Sequence, residues 1–246
     1  MSEYYIIDPQ TYDDQFWWKK DDIEFWKKII LPGSKVLELG AGTGRLGLPL
    51  VMSSIDYTGL ELSDSYVNFA NVKFSNSSPL IQGDMRNFTL DIKYDVIFIG
   101  FNSLLHLLSE DDLIQCLHSI KAHMHNHTRI YIDIFVPKAS FLYRSDLSPF
   151  FVMEFFDSQK KYLSVIEESL SYNNLDEIIS VKWQYKQKGT SHIYHTFNFQ
   201  MKAYYPDTMN RILIDAGLKI TNLWGSYEQE KFAENSDLQI YEIVLF

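Results

Sequence analysis

A single cysteine, Cys116, in 246 residues excludes an internal disulfide and fits a reducing compartment. No stretch of about eighteen uninterrupted apolar residues is present, so no membrane-spanning helix is expected. The opening Met-Ser-Glu-Tyr-Tyr lacks the basic-then-apolar form of a secretory signal, and the expectation is a soluble, cytoplasmic protein. Basic residues are few: 22 Lys and Arg face 32 acids, for a net charge of −10, which disfavours nucleic acid and anionic membranes as partners. Lys19-Lys20 and Lys27-Lys28 are broken up by acids and aromatics and read as solvated helix charges; Lys186 and Lys188 are too few to make a nucleic-acid platform. What the chain does have is a 46% hydrophobic content, enough for one domain with a large core, and 15% aromatics. Of its eleven glycines, four fall between 40 and 47.

Apolar positions Phe16, Ile23, Trp26 and Ile30 predict a helix over 13–30, ended by Pro32-Gly33. Strand and helix signals then alternate: strands at 35–39, 57–60, 79–82, 94–99 and 129–136, and helices at 45–52, from a Ser63 cap to about 71, and from a Ser109 capping box to about 123. Apolar strands separated by helices predict an α/β fold, a parallel sheet covered by helices on both faces. After Pro137 the pattern changes. Runs at 161–170, 177–188 and 192–203, parted by Asn173-Asn174 and Gly189, predict antiparallel hairpins inserted after the fifth strand. A helix from Pro206 to Ala216, stopped by Gly217 as its C′ residue, and two closing strands at 218–224 and 238–246 complete a seven-stranded sheet. The expected organisation is one domain over 1–246, with a helical N-terminal lid at 1–33 and an antiparallel insertion at 138–204. Two roles are open for that insertion: a cap over the ligand crevice or a surface for a homodimer.

Residues 36–44 read Val-Leu-Glu-Leu-Gly-Ala-Gly-Thr-Gly, a buried strand stopping in a turn too tight for side chains. A helix starting near Gly44 would aim unpaired N–H groups at a ligand lying on that turn. A Gly-x-Gly-x-x-Gly match at Gly42, Gly44 and Gly47 suggests a dinucleotide, but its register is poor, because the strand ends at Leu39 and the first turn glycine is Gly40. Counting from Gly40 fits Glu-x-Gly-x-Gly-x-Gly, and a carboxylate at Glu38 suits a cationic amino-acid group better than a pyrophosphate. Here the sequence resembles the class I S-adenosylmethionine-dependent methyltransferases, with their Rossmann-like sheet. The resemblance implies that Glu38, Gly40, Ala41, Gly42 and Gly44 hold the donor's methionine part. It implies that Glu61 and Leu62, at the end of the second strand, meet the ribose, and that Asp84 and Met85 meet the adenine.

The segment Gly-Phe-Asn-Ser-Leu-Leu-His-Leu at 100–107 resembles the Asn-Ser-x-x-His-Leu stretch of small-molecule N-methyltransferases that act on glycine or aminosugars. That likeness implies methyl transfer to a nitrogen, less readily an oxygen, of a small metabolite, with His106 as base or acceptor-orienting group. Asn102 would shape the cofactor site together with Ser103. In the N-terminal aromatic cluster Tyr4, Tyr5, Tyr12, Phe16, Trp17 and Trp18, Tyr12 is the candidate to touch donor or acceptor; plain packing is the competing reading. Phe141, Tyr143, Trp183, Tyr185 and Tyr194 are candidates to line the acceptor pocket. His123, His125 and His127 alternate without a nearby cysteine or carboxylate cluster, so no metal site is expected; the helix dipole explains them more cheaply. Cys116, beside Leu113 and Leu117, reads as core. Two rival functions stand beside the methyltransferase: an NAD(P)-dependent oxidoreductase, for which no convincing Tyr-x-x-x-Lys pair exists, and a non-catalytic binding protein on the same fold.

Overall fold

The computed structural model describes residues 7–75, 79–146 and 148–246; Tyr4 and Tyr5 lie outside them. In chain order the elements are α1 (Pro9–Gln15), α2 (Asp21–Ile29), β1 (Lys35–Leu39), α3 (Gly47–Met52), β2 (Asp56–Glu61), α4 (Asp64–Lys73), β3 (Leu80–Gln82) and β4 (Tyr94–Ile99). There follow α5 (Glu110–Ala122), β5 (Met124–Phe135), α6 (Ala139–Leu142), β6 (Phe150–Asp157), β7 (Tyr162–Asn173), β8 (Ile178–Gln187) and β9 (Ile193–Lys202). The chain closes with α7 (Pro206–Asp215), β10 (Leu218–Trp224) and β11 (Leu238–Leu245). These elements form two compact units, one of residues 20–136 and 204–246, the other of residues up to 19 with 137–203.

The larger unit is the expected α/β sheet. Seven strands run in the order β10-β11-β5-β4-β1-β2-β3. β5, β4, β1, β2 and β3 pair in parallel, and β11 and β10 close the edge antiparallel. Four of the five residues of β1 and five of the six of β4 are buried, as they must be in strands covered on both faces. Trp26 of α2 lies fully buried with its ring 4.5 Å from Phe98 of β4, which fixes that helix in the core. Asp21, Asp22 and Glu24 in the first turn of α2, and Lys27 and Lys28 in its last, match the helix dipole. The Ser63 and Ser109 hydroxyls cap α4 and α5 as expected, and Gly217 follows α7 at φ +73°.

The smaller unit is a four-stranded antiparallel sheet, β6-β7-β8-β9, with α1. It has one strand more than the three predicted runs, because β6 (Phe-Phe-Val-Met-Glu-Phe-Phe-Asp) lacks the alternation that marked the others. Ile7, Phe155, Ile166, Tyr185 and Phe197 form its core, with Tyr12, Trp183 and Tyr194 packed against them. Tyr185 donates to Gln15 Oε1 at 3.0 Å, and the Ser158 N–H donates to Asp14 at 2.7 Å, tying α1 to the sheet. The predicted helix over 13–30 is therefore two helices: α1 ends at Gln15 within one unit, and α2 begins at Asp21 within the other. The expected lid at 1–33 is divided in the same place.

β5 starts five residues before its predicted position, through the polar run His125-Asn126-His127. Side chains sustain this irregular pairing: Thr128 Oγ1 donates to the Tyr94 carbonyl at 2.6 Å and accepts the His125 N–H at 2.8 Å.

Candidate donor site at the ends of the parallel strands

At the end of β1 the chain turns through left-handed conformations at Gly40 (φ +73°) and Gly42 (φ +56°). An L side chain there costs about 1–2 kcal/mol per residue. The backbone N–H groups of this turn are used internally. Gly40 and Ala41 donate to the Leu60 carbonyl at 2.8 and 3.0 Å, and Gly44 donates to the Ala41 carbonyl at 3.0 Å. Gly42 donates at 2.8 Å to Glu61 Oε2, while Glu61 Oε1 accepts the Ser63 N–H at 2.8 Å. Glu61 is thus buried at the end of β2, with one oxygen on the turn and the other on the start of α4. The helix after the turn begins at Gly47 rather than near Gly44 and has only six residues, so it does not provide the expected N-terminus facing a ligand.

The side facing away from the core is open at one glycine. A Cβ at Gly42 would meet nothing within 4 Å, whereas at Gly40 it would lie 2.8 Å from Ser103 Cβ and at Gly44 2.6 Å from the Phe74 ring. Gly42 is therefore the point of backbone a ligand can approach, and Gly40 and Gly44 make room for protein. Ser103 also donates to the Gly40 carbonyl at 3.2 Å, and the Met85 methyl lies 3.3 Å from the same notional Cβ. Gly40, Met85 and Ser103 thus lie together at this end of the sheet.

Glu38, next to last in β1, is buried and accepts the Tyr57 hydroxyl at 2.6 Å. Burial pushes its carboxyl up to about 8, against the opposing pull of the Tyr57 hydrogen bond and the Arg45 charge. Asp84 is half-exposed and engaged by Arg86, whose side chain holds both carboxylate oxygens and keeps the group below the usual carboxylate range. Arg86 reaches Asp112 as well, at 3.0 Å. Ala41 is buried and Leu62 exposed.

Beyond β4 the chain turns again at Phe101 (φ +50°) and Asn102 (φ +66°). Asn102 Oδ1 accepts the Phe135 N–H at 2.8 Å, so its side chain joins this turn to β5. His106 closes the short 3-10 turn Ser103–His106 and is exposed, between buried Leu105 and Leu107. Tyr12 belongs to the smaller unit, its ring edge-on to Phe16 at 4.8 Å.

Two groupings here were not anticipated. Asp22 of α2, fully buried, receives Arg45 through two hydrogen bonds, 3.1 and 2.6 Å, and the Arg45 guanidinium lies 4.5 Å over the Phe101 ring. Asp133 of β5, also buried, accepts the Phe101 N–H at 3.1 Å and the Tyr227 hydroxyl at 2.7 Å. A lone acid within Tyr-Ile-Asp-Ile-Phe was the available signal for Asp133; nothing in the polar run around Tyr227 marked its partner.

The remaining candidates find structural partners. His123 Nε2 accepts the Leu90 N–H at 2.8 Å, so Nδ1 carries the proton given to the Ser119 carbonyl at 2.6 Å. His125 pairs with Asp95 at 3.0 Å. Among the described residues no three His, Cys, Asp or Glu side chains are grouped as metal ligands, and no helix is long and apolar enough to cross a membrane. Cys116 is buried, with its thiol pushed up by burial. Lys186 and Lys188 pair with Glu167 and Glu154. Tyr185 is core, whereas Tyr143 is exposed and edge-on to Tyr172.

A mostly parallel seven-stranded sheet of this order is the Rossmann-like fold of the S-adenosylmethionine-dependent methyltransferases. Residues 36–127 match the family described as a methyltransferase domain. The chain is 33% identical over 99 residues to YqeM of Bacillus subtilis (strain 168), which carries a methyltransferase name; the match covers 39% of this chain. It covers 40% of the length of that curated relative. Over nearly the whole chain the fold is that of the CcbJ methyltransferase of Streptomyces caelestis, with a TM-score of 0.77, 21% identity, and 97% of this chain and 99% of CcbJ covered. The glycopeptide N-methyltransferase MtfA, solved complexed with (S)-adenosyl-L-methionine, aligns with a TM-score of 0.61 and 20% identity over 98% of this chain and 96% of MtfA.

Proposed function

We propose that this protein transfers a methyl group from S-adenosylmethionine to a nitrogen of a small-molecule amine. The observation that carries this reading is the chemistry of the glycine turn. Its N–H groups at 40, 41, 42 and 44 already have acceptors, and the carboxyl groups of Glu38 and Glu61 lie beside it. A pyrophosphate would find no free donors at these four positions and two acids nearby, which weighs against NAD(P). A ligand with a cationic amino-acid end and a ribose suits the same surface.

The residues fit that ligand. Gly42 gives the open approach for the methionine part, with Gly40, Ala41 and Gly44 shaping the turn and Glu38 beneath it. Glu61, held at the end of β2 by the Gly42 and Ser63 N–H groups, is placed with Leu62 to meet the ribose. Asp84 and Met85 take the adenine, with Arg86 orienting the Asp84 carboxylate. Asn102 spends its oxygen on β5 and so contributes by holding the second turn in place. When bound, the donor supplies an electrophilic methyl on a sulfonium, and the transfer is an in-line displacement. A neutral amine needs positioning more than deprotonation, so an exposed His106 suffices to orient it or accept its proton. The likeness to MtfA supports nitrogen as the receiving atom.

The test is thermal unfolding of the purified protein with S-adenosylhomocysteine or with NAD, followed by turnover with a panel of amines and phenols. Stabilisation by the thioether at 100-fold excess over its dissociation constant, about 2.7 kcal/mol, with none from NAD, is expected. Stabilisation by NAD alone overturns the proposal, and thioether binding without turnover on any acceptor leaves the non-catalytic reading in its place.

A further inference from the structure

The carboxyl group of Glu38 sits on β1 directly opposite Gly59 of β2, and Tyr57 stands two residues earlier on the same face of β2. With a side chain at 59 the phenol would have no route to Glu38: a Cβ there would lie 2.7 Å from the Tyr57 hydroxyl. α3 covers the same ring, and at Gly47 a Cβ would stand 2.2 Å from Tyr57 Cζ. Two glycines on different elements thus vacate the path of one phenol. Gly47, which the sequence offered as the third glycine of a dinucleotide fingerprint, makes room for a ring instead. On its other face Tyr57 stacks with Phe74 at 6.0 Å and 7°, and Phe74 in turn fills the space left by Gly44.

We propose that Tyr57 is a positioning residue for the donor site, its hydroxyl orienting the Glu38 carboxyl beneath the glycine turn and favouring its ionised form. This rests on the reading of the turn as a methyl-donor site. Gly47, Gly59 and Phe74 enclose the ring, and the 2.6 Å hydrogen bond joins its hydroxyl to the Glu38 carboxyl. Among the described residues the groups bearing on Glu38 are Tyr57 and Glu61 from β2, Arg45 from the turn, and Asp22 from α2, which pairs with Arg45. Burial favours the protonated carboxyl, while Tyr57 and Arg45 favour the carboxylate. Removing the hydroxyl therefore raises the pH at which Glu38 ionises.

The experiment compares Tyr57→Phe, which keeps the ring between Gly47 and Gly59, with the unaltered protein in S-adenosylhomocysteine binding across pH 6 to 9. The variant is expected to bind about tenfold more weakly near neutral pH, with the deficit closing as pH rises, a shift of about one unit in the acid limb. The ligand's own amino group titrates in this range, so the displacement between the two proteins is the readout. Carbon-13 observation of the Glu38 carboxyl without ligand gives a second measure, and its titration should move upward in the variant. A deficit independent of pH with an unchanged Glu38 titration overturns the inference, because that is what a purely structural ring would give. If neither protein binds the thioether at any pH, the methyl-donor reading fails, and with it the role proposed for Tyr57, whatever the carboxyl titration shows.

Discussion

Two neighbouring parallel strands, β1 and β4, end in turns that meet the same backbone demand with opposite chemistry. After β1 the left-handed positions are Gly40, Gly42 and Gly44; after β4 they are Phe101 and Asn102. The first turn avoids strain by giving up side chains, and bare backbone is what it presents at Gly42. The second keeps its side chains and accepts a strain of order 1–3 kcal/mol per residue. Other groups hold it in place. The Asp133 carboxylate takes the Phe101 N–H, the Asp133 carbonyl takes the Asn102 N–H at 3.0 Å, and Asn102 reaches back to β5. Arg45 joins the two turns, leaving the first to lie over the Phe101 ring of the second. A turn that serves as a surface is made of glycine; a turn that aims side chains is made of strained residues and buried acids.

The largest effect expected from this comparison is at the link. Arg45→Met leaves Asp22 as a buried, unpaired charge and should cost about 3–5 kcal/mol in urea unfolding. A loss below 1 kcal/mol would show that the pair does not anchor α2 to the turn. Gly40→Ala comes next. Its Cβ is both left-handed and 2.8 Å from Ser103, so a destabilisation of about 2 kcal/mol with loss of S-adenosylhomocysteine binding is expected. Retained binding at full affinity would separate Gly40 from the donor site. The smallest effect tests the second turn: Asn102→Gly and Asn102→Ala both lose the bond to Phe135, but only alanine keeps the left-handed cost. The alanine variant should be less stable by about 1 kcal/mol, and equal stabilities would show that φ at 102 relaxes.

This contrast also explains what could be read in the sequence. The first turn was legible because glycine is a backbone signal: Gly40, Gly42 and Gly44 after an apolar run allow few other geometries. The succession of strands and helices along the chain followed from the same apolar runs, and the caps at Ser63 and Ser109 from their spacing. The second turn was only half legible. Phe101 and Asn102 carry no sign of left-handed backbone, and the Asp22–Arg45 and Asp133–Tyr227 pairs join residues 23 and 94 positions apart. Long-range partners of this kind leave no periodicity. β6 was not picked out for a related reason: Phe-Phe-Val-Met-Glu-Phe-Phe-Asp does not alternate, and such a run fits strand or helix equally until its neighbours are known.

The smaller unit is assembled from two distant stretches of chain, and that has a consequence for its synthesis. α1 has seven residues, too few to hold a helix alone in water. Its partner Tyr185 lies 170 residues further along. At ordinary elongation rates α1 waits on the order of ten to thirty seconds before β8 exists to receive it. During that interval Tyr12 and Phe16 have no sheet to cover them, so in a chain still being made α1 stays open to chaperones and proteases until β8 emerges.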